Sequence, residues 1–145
     1  MTDRSELEPN AVPPPDARVV VVGGTLAAVV ARRLSASADS VTLLTDDDRA
    51  ISRAGEAVEV VRHEPTERAA LRKKTAAADV VVIAAGDDGE NLLLSRLAVP
   101  TDGRTVVTLV EDPENVAPFR DAEVTPVCVS KAVAATVIER VGADQ

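Results

Sequence analysis

The chain has 145 residues, enough for one domain with a sizeable core. It is 46% hydrophobic but 1% aromatic, so the core must be Val, Leu, Ile and Ala, as in buried parallel sheets. A formal net charge of −8 argues against nucleic acid or an anionic membrane surface as partner. Lys occurs only at 73, 74 and 131, and the remaining basic residues are Arg. Acid-rich, Lys-poor composition suits a halophile's cytoplasm, where salt screens self-repulsion. Codon bias in a high-GC genome is a compatible second source.

Residues 1–16 are polar, include Pro13-Pro14-Pro15, and are expected to form a disordered or extended tail ahead of a single domain over 17–145. Val-rich, strand-like runs follow at 18–23, 40–45, 57–61, 78–84, 104–110 and 123–128. Helical patterns lie between them at 26–37, 47–54, 66–75, 89–98 and 113–121, with a last one at about 130–141. Strands alternating with helices through short connections predict an α/β fold of βαβ units. Right-handed crossovers then give a Rossmann-like, doubly wound parallel sheet of six strands, ordered 3-2-1-4-5-6, with helices on both faces. Pro126 lacks an N–H for a central ladder and places the last run at an edge. The last helix carries Val133, Val137, Ile138 and Val141 at helical spacing. It is expected to cover the sheet, with docking on another subunit as the alternative.

No stretch reaches the ~18 apolar residues of a membrane span, and the start of the chain is unlike a secretory signal. A soluble, cytoplasmic protein without direct membrane insertion is expected. Cys128 has no internal partner and sits in an apolar run, so it is expected in the core. His63 is expected in a surface turn, and with Glu64 alone it is too little for a metal site.

Two turns carry chemistry. In a doubly wound sheet, ligands bind outside the carboxyl ends of the strands where the order reverses, here between strands 1 and 4. The turn after strand 1 is Gly23-Gly24-Thr25-Leu26, leading into Ala28. Gly23 makes the tight turn, and Ala28 stands where helix packs on strand. The helix N-terminus offers partial positive charge to phosphates. Thr25 departs from the G-x-G-x-x-G pattern: its Cβ crowds a diphosphate while its hydroxyl offers a bond. The facing turn is Ala84-Ala85-Gly86-Asp87-Asp88-Gly89-Glu90-Asn91. At the end of strand 2, Thr45 or Asp46 stands where a carboxylate usually takes ribose hydroxyls, and Arg49 could meet a 2′-phosphate. Asp46-Asp47-Asp48 reads equally as an acidic helix N-terminus.

The order of these motifs resembles the TrkA-N domains, or N-terminal domains of regulators of potassium conductance, over about residues 18–140. The stretches that carry the resemblance are "VVGGTLAA", His63-Glu64-Pro65-Thr66, "AAGDDGEN", Asp112-Pro113-Glu114-Asn115 and "FRDAEVTPVCVS". The resemblance implies a ligand-sensing module binding NAD(H) or another adenine nucleotide. It would act with a membrane cation transporter or channel subunit, as a homodimer. By position it sets Gly23, Gly24, Thr25, Leu26 and Ala28 toward the phosphates, Thr45 or Asp46 toward the ribose, and Glu64 near the adenosine end. Ala85, Gly86 and Asn91 would form the second wall. Two other functions compete. One is a scaffold that has lost its ligand and acts through protein contacts. The other is a small NAD-dependent dehydrogenase, such as a sirohaem-type N-terminal domain, although the chain has no Tyr and no room for a substrate domain.

Overall fold

The structure, a computed structural model, describes residues 16–64, 67–98 and 103–143. The expectation for a tail over 1–16 therefore falls, apart from Asp16, outside the described residues. The elements are β1 (Arg18–Gly23), α1 (Thr25–Leu34), β2 (Ser40–Thr45), α2 (Asp48–Arg53), β3 (Glu59–Arg62), α3 (Arg68–Thr75), β4 (Val80–Ala84), α4 (Asp88–Ala98), β5 (Thr105–Val110), α5 (Val116–Asp121), β6 (Thr125–Cys128) and α6 (Val129–Ala143). A 3-10 turn over Pro113–Asn115 precedes α5, and Asp112 caps it by accepting the Glu114 N–H. Proline at its first position forfeits only an N–H that would have no partner there.

The six strands form one sheet in the order β3-β2-β1-β4-β5-β6, with every pairing parallel. This is the doubly wound Rossmann-like sheet predicted from the alternation of elements. The order reverses between β1 and β4, where Gly23 pairs with Ala84. Although the valine run of β1 is continuous, successive side chains serve opposite faces. Val19 and Val21 join Ala27, Ala28, Ala31, Leu43, Ala50 and Ala54 beneath α1 and α2. Val20 and Val22 join Leu44, Leu71, Ile83, Leu94, Val106 and Phe119 beneath α3, α4 and α5. The alanines of α1 let that helix pack closely on the strands. Pro126 lies on β6, which pairs only with β5 and so forms the edge that proline tolerates.

Arg104 ties the opposite end of the sheet together. Its guanidinium donates to the carbonyls of Ala76, Ala78 and Ala98, near the C-terminal ends of α3 and α4. Ala76 and Ala78 follow the end of α3 and Ala98 closes α4, and a cation suits the negative end of a helix.

Two expectations fail here. The last helix does not cover the sheet: Val133, Val137, Ile138 and Val141 are each more than half exposed. On the face of α1, Val107 and Leu109 of β5 are only partly buried. Cys128 is not core. It is half-buried at the junction of β6 and α6, where its sulfur lies 3.4 Å from the Ser130 hydroxyl. Cys128 ends a four-residue edge strand, and among the described residues the apolar side chains of α6, which follows it, stay exposed instead of covering it.

Candidate functional site

At the carboxyl ends of β1 and β4, two cavities of about 220 Å3 each lie side by side. The first is lined by Gly24, Thr25, Leu26, Ala84, Ala85, Gly86, Asn91, Leu109, Glu111 and Val129. The second is lined by Val22, Gly23, Gly24, Leu44, Thr45, Asp46, Asp47, His63, Ala85 and Glu90. They share Gly24 and Ala85, one from each turn. The topological switch point thus carries a double crevice, whose combined size lies within the roughly 300–1,000 Å3 of small-molecule sites.

The two glycines of the first turn have different tasks. Gly23 has φ +150°, and a Cβ built there would sit 2.1 Å from the Ala84 carbonyl oxygen and 2.9 Å from the Ala27 Cβ. Close approach of β1, β4 and α1 requires it, ligand or no ligand. Gly24 caps α1, and a Cβ there would meet only the Asp47 carboxylate, at 3.6 Å. Thr25 and Leu26 open the helix and line the first cavity. Ala28 lines neither cavity; it is fully buried, with its N–H bonded to the Gly24 carbonyl at 3.0 Å. Its role is helix-on-strand packing rather than ligand contact.

The second turn is held by its own side chains. Asn91 is 3% exposed, and its Oδ1 accepts from the N–H of Ala85 and Gly86 at 3.1 and 3.0 Å. Its Nδ2 donates to the carbonyls of Gly86 and Leu109. All four bonds available to an amide are used, so Asn91 shapes the wall instead of offering groups to a ligand. Asp87 caps α4 by accepting the Glu90 N–H at 2.8 Å. Asp88 accepts from the N–H groups of Glu111 and Asp112 and from the Asn115 amide, fastening α4 to the turn after β5. Desolvation works to raise its pKa, but these three bonds outweigh it and hold the carboxyl below its ordinary value.

At the end of β2, Thr45 is buried, and its hydroxyl accepts the Asp47 N–H at 3.1 Å. Asp46 is exposed at the rim of the second cavity. Asp47 caps α2 through the Arg49 N–H, and Asp48 pairs with Arg62. The acidic run thus starts a helix, as one reading of it expected, and its Asp46 and Asp47 also line the crevice. Arg49 lines neither cavity.

The turn after β3 differs most from expectation. Glu64 is exposed and lines neither cavity. His63, expected at the surface, is 3% exposed and lines the second cavity. Its backbone N–H bonds the Thr45 carbonyl at 3.0 Å, extending the ladder one residue past β3. Strand alternation then puts His63 on the face of Val61 and sends Arg62 and Glu64 to the other side. Neither ring nitrogen has a hydrogen-bond partner among the described residues. Burial, then the nearby Lys74, push its pKa below the ordinary value against the weaker pull of Glu67 and Asp46. Pro65 and Thr66 lie outside the described residues. Sequence reasoning also missed Asp47 and Glu90. The Glu90 carboxylate folds back over Gly86, where a Cβ would lie 2.0 Å from its Oε2.

Among the described residues, no group of three or more His, Cys, Asp or Glu side chains could hold a metal ion, and no helix is long and apolar enough to cross a membrane. No curated protein matches the chain significantly. Solved structures match its fold. The NAD(P)-binding domain of an exopolyphosphatase-related protein from Archaeoglobus fulgidus superposes with a TM-score of 0.72 at 20% identity, covering 87% of this chain and 98% of that one. GsuK bound to ADP gives 0.62 at 21%, over 86% of this chain and 35% of that one. The GsuK channel bound to NAD gives 0.60 at 19%, over 86% and 24%. This chain thus spans only about a third or less of the GsuK chains. Glucose dehydrogenase from Haloferax mediterranei, in complex with NADP, Zn and gluconolactone, gives 0.53 at 17%, over 88% and 42%. The TrkA-N domain family matches residues 19–145, nearly the whole of the described fold, and the chain belongs to that family.

Proposed function

We propose that this chain is a regulatory nucleotide-binding module of potassium or other cation transport, a sensor subunit rather than a catalyst. The observation that carries the reading is the pair of equal cavities meeting at Gly24 and Ala85, over the N-terminus of α1. A dinucleotide such as NAD(H) has this shape: two nucleoside halves joined by a pyrophosphate. An adenine nucleotide such as ADP would fill one half. Structural relatives bound to ADP and to NAD, and membership of the TrkA-N family, support the same ligand class.

In this reading the N–H groups at Gly24, Thr25 and Leu26 receive the phosphates, aided by the positive end of α1. The Thr25 hydroxyl adds a donor where the glycine pattern has none. Asp46 and Asp47 accept the ribose hydroxyls, and Ala85 and Gly86 form the opposite wall. Asp46, Asp47 and Glu90 make the second cavity acidic, which suits an uncharged nucleoside end and repels a 2′-phosphate.

The partner surface is α6. Its stripe Val133, Val137, Ile138 and Val141 is exposed while the same chain leaves Val107 and Leu109 of β5 partly uncovered. A helix without a sheet and a sheet without a helix are complementary between two copies, so the occupant is a second copy of this chain. Glu111 and Val129 line both the first cavity and the α6 groove, so the ligand site adjoins the surface that would meet a partner. In this reading the assembly works in the cytoplasm, against a membrane transporter or channel subunit.

Thermal unfolding with NAD+, NADH, NADP+, ATP, ADP and AMP tests the ligand. A compound binding only the native state at about 100 times its Kd adds roughly 2.7 kcal/mol, an easily resolved rise in Tm. A rise with NAD(H) or an adenine nucleotide is expected, and absence of a rise with all six would leave the scaffold reading.

A further inference from the structure

Four carboxylates line the double crevice: Asp46, Asp47 and Glu90 in the second cavity and Glu111 in the first. Asp47 stands at the glycine turn itself, its Oδ2 3.6 Å from where Gly24 would carry a Cβ. The Glu90 carboxylate folds over Gly86 on the opposite wall. Among the described residues the salt bridge is that of Arg62 with Asp48, and none of the four lining carboxylates has a cationic partner. No Lys or Arg among the described residues lines either cavity. Burial holds the lining His63 below its ordinary pKa, so it is neutral at pH 7. What attracts a phosphate here is therefore backbone N–H groups and the partial positive charge of the α1 N-terminus.

Attraction and repulsion in such a site respond differently to salt. Hydrogen bonds from N–H groups act at about 3 Å, no further than the screening length in 1 M salt. Repulsion between phosphates and carboxylates a few ångströms beyond them acts over longer distances. The screening length falls from about 10 Å at 0.1 M to about 3 Å at 1 M, so salt removes much of the repulsion and leaves the hydrogen bonds. Phosphate sites built from Lys and Arg behave in the opposite way and weaken as salt rises. The net charge of −8 adds to the same repulsion at longer range. We propose that ionic strength gates this crevice: its carboxylates repel anionic nucleotides at low salt, and salt strengthens binding by screening that repulsion. The proposal rests on the nucleotide reading and gives that site a regulator. In a module of cation transport, the salt concentration that transport changes would then set how much nucleotide the module holds.

Calorimetric titration of the full chain with ADP tests this, with circular dichroism confirming the fold at each salt concentration. ADP affinity is expected to rise about tenfold between about 0.1 and about 1 M KCl. Tetramethylammonium chloride at equal ionic strength is expected to act as KCl does. A rise confined to KCl would mean a bound potassium ion and overturns the proposal. The double variant Glu90→Gln with Glu111→Gln removes two charges at nearly constant size, away from the groups assigned to phosphate and ribose. It is expected to bind ADP about threefold more tightly than wild type at low salt, and about equally at high salt. A variant that keeps the wild-type affinity and salt dependence would trace the rise to the base or the fold, and overturns the proposal. Wild-type affinity that stays flat or falls with salt overturns it too, and leaves the nucleotide reading intact. Failure of ADP and NAD+ to bind at every salt concentration overturns both.

Discussion

The carbonyl oxygen of Ala84 occupies the place where Gly23 would carry a side chain: a Cβ built on Gly23 lies 2.1 Å from it. The two residues are paired across β1 and β4 at the switch point. Gly23 also has positive φ, so any substitution is both crowded and strained. Gly23→Ala is expected to destabilise the fold by about 3 kcal/mol or more, combining overpacking with backbone strain. Gly24→Ala meets no such obstacle, since its Cβ would be in ordinary contact with Asp47. Its Tm should stay within a few degrees of wild type, while a methyl group between the two cavities lowers nucleotide affinity about tenfold or more. Chemical denaturation and a nucleotide titration of both variants check this. Equal losses of stability would show that the two glycines share one structural role.

Asp88 fastens the second turn to the loop after β5 by accepting three hydrogen bonds. Bonds to a charged acceptor contribute about 1.5–3 kcal/mol when well shielded, and less at a half-exposed site such as this one. Asp88→Ala is expected to cost about 1–2 kcal/mol. The folded-state pKa of Asp88 lies below its unfolded value. Its contribution is therefore complete above the unfolded pKa, near 4, and is lost as pH falls through the lower folded value. Urea unfolding of wild type and Asp88→Ala should converge in acid below that range and differ at neutral pH. A constant difference across the series would rule out the charged carboxylate as the source.

His63 has the opposite linkage. Its folded pKa lies below the ordinary 6.5, chiefly through burial. Above about pH 6.5 both states are neutral, and the group contributes no pH dependence. Between that value and the folded pKa the unfolded chain takes up a proton that the folded chain refuses, so stability falls with falling pH. Below the folded pKa the loss levels off. The ligand-free protein should lose stability on acidification from pH 7 toward 5, and His63→Leu should lose less. Replacing two ring nitrogens that have no hydrogen-bond partner among the described residues by apolar atoms is expected to add about 1 kcal/mol or more at neutral pH. Denaturant midpoints for both proteins across this range decide it. Parallel curves would mean that the ring titrates normally in the folded chain.

The sheet was legible because each strand is a short Val-rich run between helical patterns, and a right-handed crossover leaves few ways to connect them. The glycine turn and "AAGDDGEN" were legible as facing walls because strand order alone brings them together. Placement of individual side chains was less accessible. Glu64 looked like the acid at the adenosine end, but continuation of the ladder through the His63 N–H turns His63 inward and Glu64 outward. Extending the alternation from Val61 past the end of β3 was the available signal. The α6 stripe was visible as apolar spacing, yet an amphipathic pattern is the same whether the helix covers its own sheet or a partner. Cys128 misled for a related reason: its apolar run ends at an edge without a covering helix.

Net charge gives a salt prediction. With −8 on 145 residues, self-repulsion opposes compaction and is screened over about 10 Å at 0.1 M salt but about 3 Å at 1 M. Among the described residues the ion pair of Arg62 with Asp48 is exposed, so screening removes little attraction in exchange. Tm should rise between 0.1 and 1 M KCl. A flat or falling Tm would favour codon bias, rather than salt adaptation, as the origin of the acidic composition.

The α6 stripe predicts self-association. Ile138 is 71% exposed, the most of the four apolar side chains on that helix. Burying an Ile side chain is worth about 1.5–3 kcal/mol, and burying a carboxylate in its place adds a desolvation cost. Ile138→Asp is therefore expected to weaken the dimer at least a hundredfold, about 2.7 kcal/mol. The fold should remain intact, because Ile138 makes no part of either core. Sedimentation equilibrium should show a dimer for the wild-type chain and a monomer for Ile138→Asp at the same concentration. Circular dichroism then separates dissociation from unfolding: an unchanged spectrum with halved mass supports the interface on α6. A wild-type chain that sediments as a monomer at every accessible concentration would instead assign the stripe to a different partner protein.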